Sequence, residues 1–253
     1  MTPVLYQFPF SHYNEKARWA LDLKAVPHRR ITVPPGAHVP ILLAISGQRQ
    51  TPTIKTKDGV IPGSAQVIDY LEREYPEPAL YPTDPDQLKQ AMELQTWFDD
   101  ELGPAVRRAL FFDVLTDPLY TSRIFGSGLP FGKFFYLGTY PLFAGFLTLQ
   151  EKVTPAQAKT SRGVTTKALD LVAEKAGDGY LVGDQFTVAD LTAASLLAVA
   201  VLPPEFQYPG RNPEPKSLRA WASRWSDHPG AEYIRRMWRL HRGESSEITG
   251  KAA

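Results

Sequence analysis

The chain contains no cysteine among its 253 residues. It therefore has neither disulfides nor thiolate metal ligands, and it has no thiol of its own for catalysis. Any sulfur chemistry at this protein requires a thiol that a ligand brings. The five histidines are scattered without a pairing such as His-x-x-x-His, so we expect no catalytic metal.

The sequence also lacks an excess of charge of either sign. Lys and Arg together number 28 against 27 acidic residues, which gives a net charge of +1. This balance provides no long-range attraction for nucleic acid or for an anionic membrane, and we expect neither as a partner. The N-terminus has no basic segment followed by an apolar core, so we predict a cytoplasmic protein without a secretory signal.

One stretch resembles a membrane segment, from Phe134 to Leu149, because it carries no charge. It is shorter than the roughly 20 residues that a spanning helix needs. Gly138, Pro141 and Gly145 also interrupt it. We therefore predict a buried helix or the wall of a pocket.

Residues 1–80 alternate short strand and helix patterns, which predicts a small α/β unit. The strand candidates and the helix candidates follow one another with turn residues between them, such as Lys57-Asp58-Gly59. The predicted strands are Val4 to Phe8, Arg29 to Val33, Thr53 to Thr56 and Val60-Ile61; the predicted helices are His12 to Lys24, Val39 to Ile45, and one that starts after Gly63-Ser64 and ends before Pro76.

A proline-rich stretch, residues 75–85, separates this unit from the rest of the chain. Such a composition suits a semi-rigid connector. Beyond it the sequence predicts helices and no strand: Asp86 to Leu115, Thr160 to Ala176, Val188 to Val201, Lys216 to Ser226 and Ala231 to Arg242. We therefore predict two domains, an α/β domain over residues 1–80 and an all-α domain over residues 86–253.

The most informative segment joins the first strand to the first helix through the polar tip Ser11-His12-Tyr13-Asn14. Ser11 stands at the predicted start of the helix, where unpaired backbone N–H groups and a partial positive charge stabilise an anion. Two interpretations are open at this point: Ser11 only caps the helix, or its hydroxyl also binds an anionic ligand atom.

Two later motifs carry similar chemistry. Thr51-Pro52 places a proline at the mouth of a strand, where a cis peptide bond would turn the backbone of Thr51 toward an extended ligand; an ordinary trans proline is the alternative. Gly63-Ser64 opens the third helix with a hydroxyl and free N–H groups, which suit a carboxylate, although Ser64 as a simple cap explains the pattern too.

A further motif, Gly183 to Asp190, contains Thr187-x-x-Asp190 before an apolar run. This spacing predicts a capping box, in which each of the two side chains caps the helix start. We assign it a structural role. Trp221, Trp225 and Trp238 are spaced as packing residues of the last helices, and we predict that they are buried.

These motifs, in this order, resemble those of the cytosolic glutathione transferases over nearly the whole chain. The resemblance implies a thioredoxin-like N-terminal domain followed by an all-helical C-terminal domain. It is similar to the members in which a serine activates the thiol. Ser11-x-x-Asn14 also resembles the Cys-x-x-Cys of thioredoxins with both sulfurs absent, which argues against thioredoxin-type redox exchange.

The resemblance assigns roles to individual residues. Ser11 is expected to donate its hydroxyl to the glutathione sulfur and is the predicted catalytic residue. The predicted glutathione-binding residues are Gln50 for the glycyl carboxylate, Thr51 and Pro52 for the cysteinyl backbone, and Ser64 for the γ-glutamyl carboxylate. Gly63 departs from the family, which has Glu or Asp there to meet the γ-glutamyl amine; Gln66 or a residue of a partner subunit is the expected substitute. Tyr6 and Tyr13 are rival hydroxyl donors, of which Tyr13 is the stronger.

An electrophile site is expected between the two domains. The candidate pocket residues are Phe8, Phe10 and Tyr13 from the first domain and Arg107, Arg108, Phe111 and Phe112 from the first helix of the second. For any single aromatic residue, burial in the core is the alternative interpretation.

The leading hypothesis is a glutathione transferase whose partners are glutathione and an apolar electrophile. Glutathione-dependent peroxide reduction or isomerisation on the same site is one alternative. A non-catalytic protein of this fold, which binds a ligand or a partner, is the other. By the resemblance we expect a homodimer.

Overall fold

The computed structural model describes residues 1–208 and 214–249. The predicted second domain runs to residue 253, and its residues 209–213 and 250–253 lie outside this description. The first part of the chain is a four-stranded mixed sheet with three helices, which confirms the predicted α/β unit. Its elements are β1 Val4–Gln7, α1 His12–Leu23, β2 Arg29–Thr32, α2 His38–Ser46, β3 Thr53–Thr56, β4 Gly59–Pro62 and α3 Ser64–Glu74.

The strand order is β2-β1-β3-β4, with β1 parallel to β2 and the other neighbours antiparallel. Leu5 of β1 pairs with Ile54 of β3, and both side chains are fully buried. Alternation along these strands sends such apolar residues to the side of the sheet that α1 and α3 cover. This topology matches the predicted thioredoxin-like domain.

Every ordered element from residue 85 to residue 241 within the described part of the chain is helical, as predicted. The helices are α4 Pro85–Trp97, α5 Gly103–Val114, α6 Pro118–Phe125, α7 Gly132–Gly138, α8 Tyr140–Gln150, α9 Pro155–Ala176, α10 Val188–Val201, α11 Lys216–Ala222 and α12 Pro229–His241. A π-helical turn, Phe98–Leu102, joins α4 to α5, and a 3₁₀ turn, Ser223–Trp225, follows α11.

Three predictions for this half were incomplete. The single helix expected from Asp86 to Leu115 is interrupted by the π-helical turn. Helix α9 starts at Pro155 rather than Thr160, since the hydroxyl of Thr154 caps it by accepting the N–H of Gln157 at 3.2 Å. Helix α6 was not predicted, although Asp117-Pro118 is a typical helix start and the Asp117 side chain caps it.

The prediction of a buried helix for Phe134 to Leu149 was wrong. The stretch forms parts of two helices, α7 and α8, which meet at Thr139. Pro141 fits the first turn of α8 because a residue there needs no N–H partner. The inner side of α8 lines a cavity described below, whereas several outer side chains are exposed. The alternative prediction, a pocket wall, therefore holds for part of the stretch. Among the described helices none is long and apolar enough to cross a membrane.

The core of the helical part surrounds α10, all of whose residues are buried. The predicted capping box is confirmed: Ala189 N–H donates to the Thr187 hydroxyl, and Thr187 N–H donates to Asp190 Oδ2 at 2.8 Å. The buried Asp190 also accepts the hydroxyl of Tyr233 from α12. The three tryptophans Trp221, Trp225 and Trp238 are buried as predicted.

Helix α1 is held against the π-helical turn and the first residue of α5 by three polar side chains from its first two turns. His12 Nε2 lies 3.1 Å from the carbonyl oxygen of Gly103, Tyr13 donates its hydroxyl to the carbonyl oxygen of Asp99 at 2.5 Å, and Lys16 Nζ lies 2.6 Å from Asp99 Oδ2. A π-helical turn departs from the regular i to i−4 ladder and recurs at functional positions in proteins. The N-terminus of α1 is thereby fixed by contacts to the second half of the chain.

The far side of α1 is held by the segment that follows α12. The guanidinium of Arg242 pairs with Glu15 Oε1 at 2.7 Å and with Asp22 Oδ2 at 3.0 Å. Burial alone would raise the pKa of Glu15, but Arg18 and Arg242 together outweigh burial and hold that pKa below its ordinary value. Residues 245–248 then run beside β2, where His28 N–H donates to Ser246 O and Ile248 N–H donates to His28 O.

Gly103 lacks a side chain at the point where Tyr13 approaches the π-helical turn. A Cβ there would lie 2.0 Å from the Tyr13 hydroxyl oxygen. We predict that Gly103→Ala displaces Tyr13 and lowers the free energy of unfolding by about 1–3 kcal/mol, as overpacking does elsewhere. Urea denaturation measures the change.

The matched control is Gly163→Ala on the exposed side of α9, where an added Cβ meets no atom within 4 Å. Because alanine favours the helix, this variant should be as stable as the parent or more stable by up to about 1 kcal/mol. Equal effects of the two substitutions would contradict the proposed contact.

Candidate functional site

A cavity of about 580 Å³ lies between the sheet domain and the helices. Phe8 and Phe10, which follow β1, form one side of it, and Phe111, Phe143 and Phe146 form the other. Polar groups enter the cavity at the tip of α1 and in the loop before β3. The cavity thus joins an aromatic compartment to a polar edge, an arrangement typical of small-molecule sites.

Ser11 lines this cavity at the N-terminus of α1. The chain is extended at Ser11 (φ −83°, ψ 128°), and its hydroxyl oxygen accepts the N–H of Asn14 at a long 3.4 Å. The serine is therefore a helix cap, one of the two interpretations of the sequence. Capping uses a lone pair of the hydroxyl oxygen and leaves its proton available to a ligand.

Asn14 connects the tip to the loop that carries Thr51. It is fully buried, and its side-chain N–H donates to Thr51 Oγ1 at 3.0 Å. The Thr51-Pro52 peptide bond is cis, the isomer that the sequence left open. Pro52 O in turn accepts the N–H of Gly63 at 2.8 Å. These bonds bring the three predicted binding segments to one edge of the domain.

The start of α3 differs in one detail from the prediction, which had Ser64 as the helix cap. The capping residue is Gly63, with φ 93°, and Ser64 is the first residue of the helix. No side chain caps this helix. A Cβ at position 63 would lie 2.2 Å from Gln66 Oε1, so the Gln66 side chain folds back over the glycine. Gly63, Ser64, Gln66 and Pro52 do not line the cavity itself.

His12 was not singled out as a functional residue from the sequence, yet it lines the cavity next to Ser11. It is 4% exposed, and burial, reinforced by the guanidinium of Arg107, lowers its pKa to about 3. The ring is therefore neutral near pH 7. Because Gly103 O only accepts, the proton of the neutral ring resides on Nε2.

The two tyrosines proposed as rival donors lie in different surroundings. Tyr13 lines the cavity, but its hydroxyl proton is given to Asp99 O, and burial raises the pKa of Tyr13 above its ordinary value. Tyr6 belongs to β1 and does not line the cavity. Ser11 thus differs from both in having a hydroxyl that lines the cavity and makes only a long capping bond.

The predicted pocket arginines are engaged with the end of α8. Arg107 lines the cavity and pairs with Glu151 Oε2 through Nε at 3.0 Å and Nη2 at 2.9 Å. Arg108 lies outside the lining and donates to Glu151 O and Ser161 Oγ. Phe112 also lies outside the lining, with the guanidinium of Arg162 over its ring. Of the seven predicted pocket residues, the cavity thus takes in Phe8, Phe10, Tyr13, Arg107 and Phe111.

Arg49, which was not predicted from the sequence, lines the cavity beside the predicted residues Gln50 and Thr51. It is exposed, and it forms no ion pair with any residue that the structure describes. Its position in the polar loop before Thr51-Pro52 was the one feature of the sequence that could have indicated a place in the cavity. Arg49 gives the polar edge of the cavity an uncompensated positive charge.

A continuous series of rings borders the aromatic side of the cavity, and all of them except Phe125 line it. Phe8 stacks on Phe10 at a centroid distance of 5.5 Å, Phe10 meets Phe125 at 4.6 Å, and Phe125 meets Phe143 at 4.7 Å. Phe125 belongs to the unpredicted helix α6. Through these rings α6 and α8 close the cavity over the first domain.

A thioredoxin-like domain that shares a ligand cavity with a following helical domain defines a class of two-domain proteins. Residues 5–79 match the family described as the glutathione S-transferase N-terminal domain, and residues 137–229 match the glutathione S-transferase C-terminal domain. The chain therefore belongs to the glutathione S-transferase family, which confirms the resemblance found in the sequence. Within residues 1–208 and 214–249, no three histidine or acidic side chains come together as a potential metal site.

Individual relatives are distant. A maleylpyruvate isomerase of Ralstonia sp is 30% identical over 109 residues, 42% of this chain and 51% of the isomerase, so the match spans about half of that protein. A glutathione S-transferase of Pseudomonas putida is 24% identical over 74% of this chain and 70% of its own. A solved structure from Rhodopseudomonas palustris, a possible glutathione S-transferase, has a TM-score of 0.63 at 17% identity and covers 99% of this chain and 100% of its own, which shows the shared fold.

The buried neutral His12 predicts a specific pH dependence of stability. Its pKa is about 3 in the folded chain against 6.5 for a free histidine, so between these values the unfolded chain binds more protons. The contribution of His12 to the free energy of unfolding is therefore fully present above pH 6.5. It is lost as the pH is lowered, by up to about 1.4 kcal/mol per pH unit. In His12→Gln, whose amide still reaches Gly103 O, the slope of unfolding free energy against pH should decrease by up to one proton.

The control is Gly163→Ala, which removes no titratable group and should therefore keep the wild-type slope. Urea denaturation at a series of pH values from 7 down to 4 measures both variants. A wild-type slope in His12→Gln would show that His12 is not buried neutral.

Proposed function

We propose that this chain is a glutathione transferase in which Ser11 stabilises the thiolate of bound glutathione for attack on an apolar electrophile. The observation that carries the proposal is the Ser11 hydroxyl at the N-terminus of α1, which lines the cavity and is free to donate. In this proposal the domain of residues 1–80 binds glutathione, and the domain of residues 86–253 supplies the electrophile site. We also propose a homodimer, as in the family.

The energy that the proposed mechanism needs is modest. Lowering the pKa of a thiol by two units corresponds to about 2.7 kcal/mol of preferential stabilisation of the thiolate. A hydrogen bond to a charged partner contributes about 1.5–3 kcal/mol, and a helix N-terminus about 0.3–2 kcal/mol. The Ser11 hydroxyl and the N-terminus of α1 are together sufficient without a separate base.

The proposed binding roles begin at the polar edge of the cavity and continue beyond its lining to the start of α3. Thr51, held by Asn14, is proposed to present its backbone to the cysteinyl part of glutathione, with Gln50 toward the glycyl carboxylate. Ser64, at the first turn of α3, is proposed to hold the γ-glutamyl carboxylate. The Gln66 carbonyl oxygen over Gly63 supports Gln66 as the acceptor for the γ-glutamyl amine, in place of the missing acidic residue. Glutathione supplies the nucleophilic sulfur that this cysteine-free chain lacks.

The test compares Ser11→Ala with Tyr13→Phe. Loss of the serine hydroxyl should raise the thiol pKa of bound glutathione by about one to two units and lower kcat/KM about 10- to 100-fold, because one charge-assisted hydrogen bond is removed. Ultraviolet absorbance of the bound thiolate gives the pKa, and calorimetric titration gives the affinity. Tyr13→Phe should leave the thiol pKa unchanged, since the Tyr13 hydroxyl binds Asp99.

Two results would count against this assignment. An unaltered thiol pKa in Ser11→Ala, with glutathione still bound, would remove Ser11 from the mechanism. An absence of binding at millimolar glutathione would favour the alternative of a non-catalytic protein of this fold.

A glutathione-dependent isomerase is the second candidate function. Arg49, an unpaired cation at the cavity edge among the described residues, supports it, since such a cation attracts a substrate carboxylate. The name of the Ralstonia relative supports it as well.

An isomerase regenerates the thiol, whereas a transferase consumes it. With maleylpyruvate as the trial substrate, turnover at constant total thiol would establish the isomerase, and Arg49→Gln should then raise KM about tenfold. Loss of thiol in proportion to product, measured with an aryl halide, would establish the transferase.

A further inference from the structure

Six large apolar side chains face solvent on α7, on α8 and at the residue just before α7. We call them the apolar surface: Phe131, Phe134, Phe135, Leu142, Phe146 and Leu149, which are between 57% and 84% exposed. Their spacing is i, i+3, i+4 around α7 and i, i+4, i+7 along α8, so each helix presents one apolar stripe. A surface of this kind on consecutive helices marks an interaction site.

The apolar surface is held in place by close packing beneath it. A Cβ on Gly126 would lie 2.3 Å from the carbonyl carbon of Gly132, so the chain before α7 is packed backbone against backbone. Phe131 itself has φ 55°, a left-handed conformation that bulky residues rarely adopt, and its side chain is almost fully exposed. The packing thus maintains an unfavourable conformation that directs a phenyl ring into water.

The apolar surface offers almost no hydrogen-bonding groups. From residue 131 to residue 149 the exposed polar side chains are Lys133 and Thr148. Thr139 is partly buried and donates its hydroxyl within its own helix, to Phe135 O. Protein interfaces form about one direct hydrogen bond per 100–200 Å². A surface with so few polar groups suits an apolar medium better than a protein partner.

Charge within the segment that carries the apolar surface has a single sign. No acidic residue occurs between Asp117 and Glu151, and the carboxylate of Glu151 is paired with Arg107. Lys133 lies among the exposed phenylalanines, with its Nζ 5.9 Å from the centre of the Phe134 ring. An ammonium beside exposed aromatic rings is the pattern of segments that lie in the headgroup region of an anionic membrane.

The apolar surface is also continuous with the cavity. Phe146 is 57% exposed and lines the cavity, and Phe143 and Leu147 of the same helix line it from inside. Helix α8 therefore separates the cavity from the apolar surface by the width of one helix. An apolar compound dissolved in lipid would meet the cavity at this edge.

We propose that the apolar surface binds the face of a lipid bilayer, with the phenylalanine and leucine side chains in the acyl boundary and Lys133 among anionic headgroups. The contact is peripheral, since neither helix is long enough to span. It departs from our expectation from the sequence, which was a buried helix or the wall of a pocket for this stretch and no membrane as a partner. Lipid binding does not depend on the proposed glutathione chemistry, so its test contains no glutathione.

The experiment is flotation of the full chain with vesicles of phosphatidylcholine alone and of phosphatidylcholine with phosphatidylglycerol. We expect binding to both and stronger binding to the anionic vesicles. The double variant Leu142→Ser and Leu149→Ser should lower the partition constant about tenfold or more, because two apolar side chains are lost. Lys133→Glu should weaken binding to the anionic vesicles about fivefold or more and leave binding to neutral vesicles nearly unchanged.

The matched control carries the same two substitutions elsewhere, Leu43→Ser and Leu240→Ser, at side chains that are 41% and 64% exposed. It should bind vesicles as the parent does. Thermal unfolding confirms that each variant is folded. The proposal is overturned if the parent does not float with either vesicle, or if both double variants bind as well as the parent. It is also overturned if, without vesicles, sedimentation shows that Leu142→Ser with Leu149→Ser converts a dimer into a monomer, since the apolar surface would then bind a second copy.

Discussion

The structure depends on the burial of a polar helix. Helix α1 is enclosed along most of its length, and its buried residues include the charged side chains Glu15, Lys16, Arg18 and Asp22. A buried charge is tolerated only when it is paired and hydrogen-bonded. Here the partners of Lys16, Glu15 and Asp22 come in part from residues beyond 98, at the π-helical turn and after α12. The first domain therefore cannot satisfy its central helix without the second half of the chain.

This constraint determines the chemistry available at the tip of α1. The side chains that fix the helix, His12 and Tyr13, are made unreactive by the same burial: one ring is held neutral and the other hydroxyl is held protonated. Their hydrogen-bonding groups are used on Gly103 and Asp99. Ser11, one residue before His12, is only partly buried and lines the cavity with its hydroxyl. A rigid support with one exposed polar group is what an activating residue needs.

Local sequence patterns predicted most of the fold and much of the polar edge of the cavity. Strong periodicity and start signals located α1, α3 and α10, and the capping box at Thr187 was readable because its partners are three residues apart. Features that depend on contacts between residues far apart in the sequence could not be predicted. The π-helical turn looks like ordinary helix in sequence, and its role arises from Tyr13, which is 86 positions away from Asp99.

The same limit applies to the candidate site. Ser11 and Thr51 were accessible through motif order, whereas His12 was not, since nothing in the sequence shows that its ring meets Gly103. Arg107 and Arg108 are adjacent and chemically identical, and both bind Glu151 at the end of α8, yet only Arg107 lines the cavity. Which of the two faces the cavity depends on how α5 is rotated about its axis, and the sequence does not show that rotation. The uncharged stretch before Glu151 was predicted as interior because apolar residues usually are, but its outer side has nothing to pack against in one chain.

The segment after α12 has a consequence for the sheet. Strand β2 lies at the edge of the sheet, and an edge strand presents N–H and C=O groups that can recruit strands from other molecules. Residues 245–248 occupy the backbone groups of His28, and Arg30 is engaged by Asp22 and Ser245. This contact covers the start of the edge, at His28 just before β2, from within the chain. The contact that completes the burial of α1 therefore also occupies the start of this sheet edge, where a strand of another molecule could otherwise begin to pair.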